Sequence, residues 1–71
     1  MSPDKLVSMA NQIGKFFATQ PGDQAAAGIA DHIRSFWDPR MRQTILAHLD
    51  AGGQGLDPLV RQALESLRIQ A

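Results

Sequence analysis

The stretch IRSFWDPRMR, residues 33–42, decides how this chain folds. It holds the only tryptophan, Trp37, with Phe36 before it, Asp38 and Pro39 after it, and Arg34, Arg40 and Arg42 close by. The Asp-Pro pair breaks one helix and starts another. The aspartate side chain can accept a hydrogen bond from a free N–H of a first helical turn. Proline at the first helical position has no N–H to leave unpaired. One helix therefore ends near Phe36 and the next begins at Pro39. Trp37, just before the cap, reads as a hydrophobic staple that plugs the corner. A tryptophan among arginines also has the composition of an interface hot spot, and the two readings are compatible. Anion binding at the helix N-terminus is the weakest reading, because Asp38 would itself occupy the free N–H groups.

The same device recurs at Ser2–Pro3 and at Asp57–Pro58. A fourth helix start follows the loop Gln20-Pro21-Gly22-Asp23, with Asp23 as its cap. The chain thus divides into four expected helices, at about residues 3–19, 24–36, 39–50 and 58–68, forming a single helical domain over 1–71. Apolar residues recur at helical spacing in each. In the first these are Leu6, Ala10, Ile13 and Phe17, with Met9, Phe16 and Val7 on the margins. The second has Ala26, Ile29, Ala30 and Ile33, closed by Phe36 and Trp37. Met41, Ile45 and Leu49 mark the third, and Val60, Ala63, Leu64 and Leu67 the fourth. Arg61 and Glu65 are placed as an i,i+4 ion pair on the wet face. The AGGQG run at 51–55 ends the third helix, since glycine adopts the left-handed backbone there without a Cβ penalty. Sustained two-residue alternation is missing. The expected fold class is all-α, a compact bundle of four short helices.

Composition limits function. Chains below about 70–80 residues rarely gain more than about 3–5 kcal/mol from burial alone, so 71 residues make a marginal core. Cysteine is absent, which excludes disulfides, thiolate metal ligands and thiol catalysis. His32 and His48 stand outside any HxxxH spacing, which speaks against a structural zinc site. Seven basic residues balance seven acidic ones, whereas a nucleic-acid binder of this size would carry a basic excess. No apolar run approaches the roughly 18 residues of a membrane span. The N-terminal MSPDKLVSM lacks the pattern of a signal peptide. The expectation is a cytoplasmic protein with no catalytic, cofactor-binding or metal-binding residues of its own. His48 is placed as a hydrogen-bonded residue at the core edge, and His32 as a solvated or interface residue.

The first helix is apolar over about 180° of its circumference, where a helix covering a small core needs little more than about 100°. The doublets Phe16-Phe17 and Phe36-Trp37 point the same way, because adjacent helical side chains diverge by about 100°. Either a neighbouring helix covers the marginal ring of each pair, or aromatic surface is left for another protein.

MANQIGKFF at 9–17, IADHIRSFWDPRMR at 29–42 and HLDAGGQGLDPLVRQAL at 48–64 together resemble the delta subunit of soluble, NAD-dependent, molybdenum- or tungsten-containing formate dehydrogenases. The resemblance covers roughly residues 5–68 and is most specific between Ile33 and Arg42. It implies a place in a larger assembly that passes electrons from formate to NAD. Other subunits of that assembly carry molybdopterin guanine dinucleotide, iron–sulfur clusters and FMN. The delta subunit is implied to carry no cofactor and to bind the large catalytic subunit, supporting assembly or stability. The alternative is a transient assembly factor that helps insert or protect the pterin cofactor. A helix-turn-helix nucleic-acid binder, suggested only by short helices and clustered arginines, is opposed by the neutral charge. The surface expected to meet the large subunit comprises Phe16, Arg34, Phe36, Trp37, Arg40 and Arg42. Replacing Arg40 and Arg42 with Glu is expected to weaken that association without unfolding the chain.

Overall fold

A computed structural model describes residues 2–20 and 24–70. Four helices follow one another: α1 (Pro3–Phe17), α2 (Gln24–Phe36), α3 (Pro39–Asp50) and α4 (Pro58–Gln70). No strand occurs among the described residues, and the all-α expectation holds. The Ser2 side chain accepts from Lys5 N and that of Asp38 from Met41 N, with Pro3 and Pro39 opening the helices they cap. The expected cap Asp23 lies outside the described residues. Two ends differ from expectation. α1 stops at Phe17 rather than Thr19, because the chain tightens: Gln20 N bonds Phe17 O and the Thr19 hydroxyl donates to Phe16 O. Such local side-chain bonds compete with helical ones. α4 runs on to Gln70, since Ile69 and Gln70 are both compatible with a helix.

α1 and α4 each pack against all three other helices, while α2 and α3 meet little beyond the corner that joins them. α2 and α3 therefore flank an α1–α4 pair, and the most extensive contact is between α2 and α4. The Cα radius of gyration is 10.8 Å, close to the value of about 11 Å expected for a folded chain of this length. Leu6, Ile29, Ile33, Ile45, Val60 and Leu64 are the largest fully buried side chains. No polar or charged side chain is buried among the described residues. Cohesion is thus apolar throughout the core.

The buried row of α1 differs from the expected stripe. It is Leu6, Ala10 and Gly14, with Ile13 and Phe17 only partly buried. Gly14 sits where a Cβ would come within 2.6 Å of Val60 Cγ2. α1 approaches α4 through the missing side chain, and that close approach rotates Ile13 and Phe17 toward the margin. Gly28 does the same for α2: a Cβ there would meet the Phe17 ring at 2.6 Å.

The turn after α3 is a Schellman cap. Gly53 N bonds His48 O, Gly52 N bonds Leu49 O, and both glycines have positive φ. Arg61 reaches back from α4 and donates to Gly52 O. The expected Arg61–Glu65 pair is therefore replaced. Glu65 pairs with Arg68 instead, and Arg68 also pairs with Asp50 at the end of α3. The loss of the expected pair costs little, since exposed ion pairs contribute little.

Candidate functional site

The Phe36–Arg42 corner is built as a lock. Trp37 N continues the α2 hydrogen-bond ladder to Ile33 O at 2.9 Å, and its indole is only 5% exposed, inside the core. Asp38 caps α3 through Met41 N at 2.9 Å. Arg42 then reaches across the corner, its Nη1 donating to Arg34 O at 2.8 Å. That bond satisfies a carbonyl in the last turn of α2, one of those a helix end leaves without an internal partner. Trp37 and Arg42 thus hold two helices at a fixed angle.

Of the six residues expected at a partner surface, these two serve the fold. Trp37 offers almost no surface, because its side chain is buried within the core cluster. Replacing Arg42 would disturb the corner as well as any contact, so the expected Arg40/Arg42 double substitution does not separate binding from folding. Arg34 is exposed and pairs with Asp31 at 2.6 Å. Arg40 is exposed and lines a shallow hollow with Asp38, Pro39 and Gln43.

The remaining two, Phe16 and Phe36, are 70% and 75% exposed, and they belong to one feature. Phe16 meets Phe17 edge to face, with centroids 5.1 Å apart and planes at 88°. Phe17 meets His32 at 6.4 Å, and His32 meets Phe36 at 4.7 Å in a tilted stack. A row of four rings therefore crosses from α1 to α2 and runs along α2. Gln12 and Ile13 join Phe16, Phe17 and His32 around a shallow apolar depression. The rings hold one another, since edge-to-face pairs contribute about 0.5–1.5 kcal/mol beyond burial. Gly28 lets Phe17 settle onto α2, and the 100° step between neighbours then turns Phe16 outward. His32 to Phe36 is an i,i+4 pair, the part of this row visible in the sequence. The approach of Phe17 to Gly28 and His32 had no local sign.

Asn11 was also invisible as a key residue. Its Nδ2 donates to Gly55 O at 2.9 Å and its Oδ1 accepts from Asp57 N at 3.0 Å. One side-chain amide thereby pins the α3–α4 connection to α1 across more than forty residues of sequence. Asp57 is anchored through its backbone, unlike Ser2 and Asp38. His48 Nε2 lies 2.8 Å from Gln54 O, a hydrogen-bonded position at the core edge that fixes the same loop.

No group of three metal-ligating side chains gathers among the described residues. The donor set, without any thiolate, does not fit an iron–sulfur cluster. None of the described helices is long and apolar enough to cross a membrane.

A family profile for the NADH-dependent formate dehydrogenase delta subunit FdsD matches residues 5–64. The chain belongs to the FdsD family. No curated protein and no solved structure matches it. The matched span runs from the first turn of α1 into α4. In this FdsD-family chain it therefore takes in the Trp37 corner, the aromatic row and the Asn11 clamp together. Membership of a formate dehydrogenase complex implies catalytic partners for the chain.

Proposed function

We propose that the chain is a non-catalytic accessory subunit of a cytoplasmic, NAD-dependent formate dehydrogenase. It binds the large catalytic subunit and supports its assembly or stability. The family match carries this reading. A chain of 71 residues without cysteine supports it, because the electron-transfer steps of such an enzyme need cluster ligands this chain lacks. Molybdopterin guanine dinucleotide, iron–sulfur clusters and FMN belong, in this reading, to the other subunits.

The test is an affinity purification of the tagged chain from its native host, with intact mass measurement and an assay of formate-dependent NAD reduction. Catalytic subunits at fixed stoichiometry, with activity, are the expected result. Recovery of a large subunit lacking activity and pterin would make the chain a transient assembly factor. Recovery of the chain alone would overturn the proposal.

A further inference from the structure

We infer that the aromatic row on α1 and α2 is where the large catalytic subunit docks, through an uncharged apolar ridge of that subunit. This rests on the reading of the chain as a subunit that binds the catalytic one, and it assigns that binding to a face. Phe16 and Phe36 are solvent-exposed at 70% and 75%, yet both are held in place by ring contacts at 5.1 Å and 4.7 Å. Rings already fixed lose little rotamer freedom when covered, which favours docking over incidental exposure. The depression beside them is lined by Gln12, Ile13, Phe16, Phe17 and His32, with no Asp, Glu, Lys or Arg among them. A charged partner group would be desolvated there without an opposite charge to meet it, so the fitting ligand is aliphatic or aromatic.

Area decides against a second copy of this chain as the occupant. Two phenylalanines exposed to this degree offer together about 300 Å², taking a full side-chain area of about 200 Å². A stable symmetric dimer buries about 800 Å² on each partner. A large subunit can cover the strip and the polar surface beyond it in one contact, with the strip as its buried anchor. Ile69 lies outside the row, on α4, and at 82% exposure is a more exposed apolar side chain than either phenylalanine. It supplies the control.

The experiment compares capture of the catalytic subunit by the tagged wild-type chain, by Phe16→Glu/Phe36→Glu and by Ile69→Ser. Circular dichroism of each chain checks folding. The double variant is expected to keep its helical signal and to lose capture more than tenfold, while Ile69→Ser captures as wild type does. A benzophenone amino acid placed at position 16 or 36 should photo-crosslink to the catalytic subunit, and one at position 69 should not; this arm stands even if the double variant unfolds. Full capture by a folded double variant, or crosslinking from position 69 alone, would overturn the assignment while leaving the accessory-subunit reading intact. A wild-type dimer in light scattering that the double variant abolishes would make a second copy the occupant and overturn it too. Failure of the wild-type chain to capture any catalytic subunit would remove both.

Discussion

At the scale of single residues, the decisive positions are those where a side chain is small or unexpectedly bonded. Gly14 is inside a helix, where alanine would ordinarily be better by roughly 0.5–1 kcal/mol. Here a Cβ would sit 2.6 Å from a methyl of fully buried Val60. Gly14→Ala should therefore destabilise, by about 1–3 kcal/mol for overpacking, read by urea unfolding. The Gly14→Ala/Val60→Ala pair should lose less than the sum of its single variants, because the second change opens the space the first needs. Asn11→Ala should cost about 1–3 kcal/mol, leaving the part-buried Asp57 N–H without its partner. Faster amide exchange at Asp57 would register it directly. Neither residue announces itself in the sequence. Gly14 interrupts an apolar stripe and looks like a gap, and the partners of Asn11 are 44 and 46 residues away.

At the scale of the element, helix starts were legible and side-chain destinations only partly so. Ser2 and Asp38 followed by proline carry their own local chemistry, and both cap as that chemistry dictates. The α4 stripe of Val60, Ala63, Leu64 and Leu67 is buried throughout, because one helix face meets a continuous core. The aromatic doublets were different. Helical geometry says that one ring of each pair turns away, but the choice depends on the neighbour: Gly28 takes in Phe17, and the α2–α3 corner takes in Trp37. Trp37→Ala should cost about 3–5 kcal/mol. That equals the whole stability expected for a core of this size, about 3–5 kcal/mol, so the variant should show no cooperative thermal transition by circular dichroism. Arg42→Ala, which removes the hydrogen bond across the corner to the Arg34 carbonyl, should cost about 0.5–1.5 kcal/mol. Arg40→Glu should stay within about 0.5 kcal/mol of wild type. Equal melting temperatures for the two would disprove the corner bond.

The surface triad of Arg68, Asp50 and Glu65 joins the end of α3 to α4. Its guanidinium pKa is raised, first by the hydrogen bond to Asp50 and then by the charges of Glu65 and Asp50. A raised pKa favours the folded state wherever the group is charged, and that contribution is lost only as pH rises through the raised value. That window lies above the ordinary arginine range. Arg68 therefore adds no slope to stability between pH 5 and 9, and Arg68→Gln should lower the melting temperature by the same amount at both ends of that range.

At the scale of the whole molecule, stability should be small and partner-dependent. With about 3–5 kcal/mol to lose and a urea slope near the lower end of about 1–3 kcal/mol per molar, the isolated chain should unfold in a few molar urea. A partner that binds only the folded form adds RT ln(1 + [L]/Kd), about 2.7 kcal/mol at a hundredfold excess over Kd. The midpoint should climb when catalytic subunit is present at that excess.

The pairing of α1 with α4 also has a consequence in time. The contacts that close α1, Gly14 against Val60 and Asn11 against Gly55 and Asp57, join the first quarter of the chain to the last. Chains are synthesised N-terminus first at about 5–20 residues per second. Some 46 residues separate Gly14 from Val60, so the α4-facing row of α1 waits about 2–9 s on the translating ribosome, with α2 and α3 made in between, before that part of its cover exists. During that interval the nascent chain presents an incompletely covered helix to chaperones and proteases, and its survival depends on how quickly translation reaches residue 60.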